Sequence, residues 1–310
     1  MKYIVAQPDL ISNSYFPALA AVELGFFNEE GIDAEIKQIS PVPDSFVALR
    51  DGECHFVAGP AHAALWGFPR WQGAKILCAL SQGMYWFLVV RKDLDIEPGD
   101  LNGLSGLTLG AAPGPDMGFR QLLISAGIDV EKENISIGLP PGGLIPGTSF
   151  GVSAAQALIE GKIDGFWANG MGAEVAVTSG IAKKIIDVRR GDGPKEAFYF
   201  TQPSLTTSQQ FLDKNPDVAA GAIRAIVKAQ KALIEDVNLA KVVGEKLFPE
   251  KEARLITRLI ERDLPYYDAN IKKEFIDGLV SFVTRSGLLE GGPVGYNDIV
   301  ATEFSPLWDN

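Results

Sequence analysis

Few residues in this chain have the chemistry for catalysis. His62, one of two histidines, stands in Gly59-Pro60-Ala61-His62, between a strand and the start of a helix. A helix N-terminus disfavours the imidazolium form, which leaves a neutral ring able to donate and accept. Such a ring acts as an acid/base, contacts a ligand nitrogen or carboxylate, or simply caps and packs. His55 lies within a strand and reads as structural. Asp116 sits at the mouth of a helix at 119–126 and either caps it or meets a ligand. Asp116 and Glu174 are not spaced as an acid/base pair. No nucleophile–base pair, phosphate loop, dinucleotide fingerprint or zinc signature occurs. Cys54 and Cys78 are not spaced like a metal or redox pair, so free buried thiols are expected, with a cross-strand disulfide as the alternative. The expectation is therefore a chain with no catalytic residue, no metal and no cofactor.

Binding chemistry is better represented. Tyr15, Tyr85, Trp86 and Tyr199 offer aromatic faces with a hydroxyl or indole donor, or pack in a core. Loops after the carboxyl ends of strands should line a ligand site. Asn13 and Tyr15 come from the first such loop, and Pro60 and His62 from the second. Gln82 and Tyr85 come from the third, Gly114, Asp116 and Met117 from the fourth, and Asn169 and Tyr199 from the last two. This set contains no lysine or arginine, so an anion would depend on the free amides that open the helix at 119–126. Gly114, Gly142, Gly143, Gly170 and Gly172 either let backbone approach a ligand or serve turns alone. The set suits an aromatic or heteroaromatic solute held by stacking and neutral hydrogen bonds.

Two similar stretches must position these loops. Residues 45–59 and 153–170 each read as a short helix, a glycine stop (Gly52, Gly161) and a buried strand ending in small residues. Their separation suggests two similar α/β lobes around a central cleft. The strand at 86–91 leaves the first lobe and the stretch near 185–200 returns to it. Lobe I is expected at 1–91 and 189–310, lobe II at 92–188, with a hinge of two crossing segments. From 211 onward, apolar residues recur at helical spacing, including Val218, Ala222, Ile226, Ala229 and Leu233. Further helices are expected at 238–247, 250–263 and 268–285.

Composition narrows the partners. The 310 residues carry 46% hydrophobic and 22% charged side chains, which fits a globular chain of about two domains. A net charge of −11 without a basic run argues against nucleic acid or an anionic membrane. The first residues read as a strand rather than a signal sequence.

Five segments, in this order, resemble the substrate-binding proteins of the nitrate/sulfonate/taurine and thiamine-pyrimidine-precursor group. They are residues 17–33, containing Gly25-Phe26-Phe27-Asn28-Glu29-Glu30-Gly31, then 49–56, 100–110, 157–165 and 211–217, the last containing Asn215-Pro216-Asp217. The resemblance implies a two-lobed periplasmic-binding-protein fold of type II. It implies a monomer, outside the cytoplasm, that delivers a small molecule to an ABC permease in the membrane. It also implies an alternative, because the group includes enzymes. Pyrimidine-precursor synthases use a histidine near the place of His62, which opens a lyase or decarboxylase reading. Their cysteine-rich run corresponds to 198–204, where this chain has no cysteine. An aromatic sulfinate desulfinase shares the fold, yet no cysteine here lies in a cleft loop to act as nucleophile.

Overall fold

The computed structural model describes residues 2–143, 145, 148–292 and 294–309; the glycine- and proline-rich stretch 140–151, which reads as a loop, falls partly outside them. The chain forms two compact units, 1–83 with 199–310 and 84–198.

In the first unit, β1 (Tyr3–Gln7), β2 (Ala34–Gln38), β3 (Phe56–Pro60), β4 (Ala74–Ala79) and, late in the chain, β10 (Pro203–Ser208) form one sheet of order β2-β1-β3-β10-β4. The second unit holds β5 (Phe87–Arg91), β6 (Thr108–Ala111), β7 (Ser136–Gly138), β8 (Gly165–Ala168) and β9 (Ala182–Asp187), ordered β7-β6-β8-β5-β9. The two sheets follow one plan. A leading strand is parallel to two neighbours, β1 to β2 and β3, or β6 to β7 and β8. The fourth strand is antiparallel and carries an irregularity beside the fifth, at Leu205/Thr206 in one unit and Leu88/Val89 in the other. Such bulges increase local twist at a sheet margin.

The two repeat stretches occupy equivalent places, since β3 and β8 both lie between the leading strand and the antiparallel one. Each follows a helix, Val42–Arg50 or Phe150–Ile159. Gly52 (φ 77°) and Gly161 (φ 69°) take the left-handed turn after these helices, a conformation strained for other residues. Ser149 caps the second helix by accepting from the Val152 amide at 3.3 Å. Strand β3 is buried along its whole length, as a strand covered on both faces requires.

The expected lobe boundaries at 91 and 188 shift to 83 and 198. Strand β5 belongs to the second sheet, where it pairs with β8 and β9. Its apolar run, Phe-Leu-Val-Val, would suit the centre of either sheet, so the pattern could not assign it. The C-terminal helices belong to the first unit. Helix Pro216–Glu235 buries Ala222, Ile223, Ile226, Ala229 and Leu233 at helical spacing. Gln230 ties it to the end of β4, donating to the carbonyls of Ala79 (3.2 Å) and Leu80 (3.0 Å). The helix expected over 268–285 covers only Lys273–Arg285. Among the described residues, no helix is long and apolar enough to cross a membrane.

Candidate functional site

In the first unit, β1 and β3 end at the sheet edge where the antiparallel β10 begins. Ser12, Asn13 and Ser14 follow β1 and are fully buried. Asn13 Nδ2 donates to Asp263 Oδ2, and Ser14 Oγ donates to the same oxygen at 3.5 Å. Tyr267 donates its hydroxyl to the Asn13 carbonyl at 2.8 Å. Asp263 ends helix Glu250–Asp263 and is 1% exposed. Donors from the 12–14 loop and Arg262 Nε, 3.5 Å from Oδ1, satisfy this buried carboxyl group.

His62, after β3, is fully buried. Its Nδ1 lies 2.9 Å from Thr201 Oγ1, and its ring stands edge-on to Trp66 and Phe282 at 5.7 and 5.6 Å. It is thus wedged into the first unit's aromatic core. His55 is structural, as its strand position suggested: Nδ1 accepts from the Ile4 amide at 2.9 Å. Pro60 closes β3 opposite Pro203. Gln82 spends its amide nitrogen on the carbonyls of Asp268 (2.9 Å) and Asn270 (2.8 Å), bracing a turn of the first unit. Tyr199 packs against helix Lys273–Arg285, its ring 6.1 Å from that of Phe275. A Cβ on Gly278 would lie 2.4 Å from Tyr199 Cβ, so glycine is what admits the tyrosine there.

The corresponding edge of the second unit is aromatic. Tyr85 and Trp86 lie 4.8 Å apart, Trp86 and Trp167 6.2 Å, and Trp167 stacks on Phe119 at 5.1 Å. All four are buried. Tyr15, in the first unit, is buried too. Gly114 (φ 95°) opens helix Pro115–Ser125. Asp116 caps that helix from within: its Oδ1 accepts from the Gly114 amide at 2.9 Å, and Arg120 Nε stands 3.7 Å from Oδ2. Met117 lies in the same first turn, its amide donating to the Gly114 carbonyl at 3.2 Å. Asn169 precedes helix Gly170–Thr178 and is 9% exposed.

Some expectations change. Gly172 serves packing: a Cβ there would lie 2.5 Å from the Gly151 carbonyl oxygen, so glycine lets the two helices touch. Gly142 and Gly143 have φ of 91° and 74° and open space around the Cβ position, which is turn geometry. A cation is present beside the aromatic edge after all. Arg189, 9% exposed, holds its guanidinium 5.8 Å from the Tyr85 ring centre. It follows β9, in the stretch near 185–200 that was read only as returning to the first lobe. Thr201, Gln202 and Asp263 were also missed, because none lies in a loop after a predicted strand.

Both thiols are free and buried. Burial pushes the Cys54 thiol up to about 12 and raises that of Cys78 as well. Among the described residues, no group of three or more His, Cys, Asp or Glu is arranged to hold a metal.

Residues 12–238 match the family described as NMT1/THI5 like. The chain belongs to that family. No curated protein matches it in sequence. Solved structures resemble it over nearly its whole length. A Bordetella bronchiseptica RB50 protein is 22% identical with a TM-score of 0.76, covering 98% of this chain and 96% of its own. The alkanesulfonate-binding protein SsuA of Xanthomonas axonopodis pv. citri, bound to MOPS, is 11% identical with a TM-score of 0.71, covering 96% and 97%. The desulfurization enzyme DSZB is 14% identical with a TM-score of 0.66, covering 98% of both chains. This NMT1/THI5-like chain thus has the type II periplasmic-binding-protein fold, as its motif order implied. That one fold serves both a binding protein and an enzyme leaves function to the site.

Proposed function

We propose that this chain is the solute-binding component of an ABC-type importer, working outside the cytoplasm and passing a small organic molecule to a membrane permease. Strand-tip loops supply the contacts, with Asn13, Tyr15, His62, Tyr85, Gly114, Met117 and Asn169 among the candidates. The observation that carries this reading is at the first unit's sheet edge. Within the described residues, Ser12 Oγ, Asn13 Oδ1 and both amide atoms of Gln202 are buried without a hydrogen-bond partner. Buried polar groups are nearly always paired, so unpaired ones at a strand-tip edge point to a solute that pairs them. The sulfonate-binding neighbour shares the fold and supports the transport reading.

Catalysis finds less support. A nucleophilic cysteine needs its thiolate, and burial keeps both thiols protonated at neutral pH. His62 is held between a threonine hydroxyl and two aromatic edges. A thiol reagent at pH 8 should leave both cysteines of the native protein unmodified, and rapid labelling of either would reopen the enzymatic reading. The main test is a thermal-shift screen of aromatic carboxylates, sulfonates and pyrimidines. A true solute at a hundredfold its Kd stabilises the protein by about 2.7 kcal/mol. Turnover of any of these compounds, abolished in His62→Ala, would contradict the proposal.

A further inference from the structure

The geometry points to Gln202 as the centre of a neutral subsite that reads an amide-like edge, a hydrogen-bond donor beside an acceptor, on the solute. This inference rests on the solute-binding reading and goes further by naming the chemical class. Gln202 is fully buried, and neither its Oε1 nor its Nε2 has a partner within the described residues. Its backbone carbonyl accepts from the Ala61 amide at 2.9 Å, which fixes the residue where β3 ends and β10 begins. The 12–14 loop follows β1, the next strand along that edge, and contributes Ser12 Oγ and Asn13 Oδ1, also buried and unpaired.

The inventory of these atoms decides between solute classes. Gln202 offers two donor hydrogens and an acceptor, Ser12 one of each, and Asn13 an acceptor with one amide hydrogen left after the bond to Asp263. Asn13 cannot turn its amide round without losing the bond from Nδ2 to the Asp263 carboxylate. An oxyanion such as a sulfonate or nitrate only accepts. It would satisfy Gln202 Nε2 and would leave the glutamine oxygen facing negative charge. A carboxamide, lactam or ureide edge donates and accepts side by side. It pairs with a glutamine side chain in two parallel hydrogen bonds, the geometry by which such side chains read a nucleobase edge. The buried carboxylate nearby has a cation beside it, Arg262 Nε standing 3.5 Å from Asp263 Oδ1.

The test compares probes that share a ring and differ only in this edge. Calorimetric titration would use benzamide and nicotinamide against benzoate and benzenesulfonate, on the wild-type chain, Gln202→Met and Gln202→Glu. The amides should bind wild type about tenfold or more tightly than the oxyanions, a difference of about 1.4 kcal/mol that one good hydrogen-bond pair supplies. Gln202→Met should erase that advantage. Gln202→Glu, which keeps the shape and removes the donors, should do the same and guards against a folding defect in the first variant. The ligand-free melting temperature of Gln202→Met should hold or rise, because an unpaired buried amide has been removed. A lower melting temperature with unchanged amide affinity would make Gln202 a structural residue and overturn the subsite. Equal or tighter binding of the oxyanions, unchanged in both variants, would overturn the subsite and leave solute binding standing. Failure of all four probes would overturn the subsite, and failure of the wider thermal-shift screen as well would remove the solute-binding reading with it.

Discussion

The two sheets share strand order, pairing sense and the place of the irregularity, yet the edges at their strand tips differ in kind. The first unit ends its strands in hydroxyls, amides and a buried carboxylate: Ser12, Asn13, Gln202 and Asp263. The second ends them in rings, Tyr85, Trp86 and Trp167 with Phe119 beneath, and a guanidinium over Tyr85. Backbone topology is fixed by the buried strands, and nothing in it dictates the side chains beyond their tips. One plan used twice has therefore acquired two chemistries, one edge of hydroxyls, amides and a carboxylate and one of aromatic rings.

This contrast can be broken one unit at a time. The largest effect should come from Gly172→Val. The added side chain meets the Gly151 carbonyl, so the second unit should lose about 3 kcal/mol or more, read as earlier denaturant unfolding by tryptophan fluorescence. Hydrogen exchange should show the first unit's sheet still protected. Loss of protection in both units together would mean that they do not behave as separate compact bodies. Next in size is Asp263→Ala, which strips the acceptor from Asn13 Nδ2 and Ser14 Oγ. The expected cost is about 2 kcal/mol, falling on the first unit. An unchanged midpoint would show that the carboxylate is not what orders the 12–14 loop.

The smallest effect concerns how the C-terminal helices attach to the first unit. Burial raises the Glu30 carboxyl, but hydrogen bonds from Lys228 and Arg224 outweigh it and leave the group below its ordinary range. Both cations are partly exposed, so solvent screening holds the gain below about 1 kcal/mol. A carboxyl depressed in the folded state stabilises above its ordinary value and loses that contribution as pH falls through the depressed one. Glu30→Gln should therefore cost a little stability at pH 7 and nothing in stronger acid. A cost independent of pH would contradict the ion-pair account.

Much of this architecture is legible in the sequence. Gly52 and Gly161 mark the helix stops because only glycine takes those φ values without strain. The spacing of Ala222, Ile226, Ala229 and Leu233 marks a helix face that is indeed buried. Asp116 as its own helix cap was one of two readings, and the bond from the Gly114 amide fits that one. The limits are as instructive. Strand β5 was expected to close the first lobe and lies in the second sheet, because burial on both faces erases any sidedness from its pattern. Asp263 ends an amphipathic helix whose charges look like a solvated face, and only the fold brings Asn13 to it across 250 positions. Gln202 sits in a stretch with no periodicity. Arg189 follows a strand near its end, in the stretch read only as returning to the first lobe. Polar residues that matter through burial carry no local signal, because burial is a property of the fold.

The most direct test of the central claim is hydrogen–deuterium exchange with and without whichever thermal-shift compound binds most tightly. The account predicts slowed exchange at strand tips, among 9–15, 61–63, 201–202, 84–86, 113–118 and 169–172. Protection centred on the C-terminal helices would contradict it.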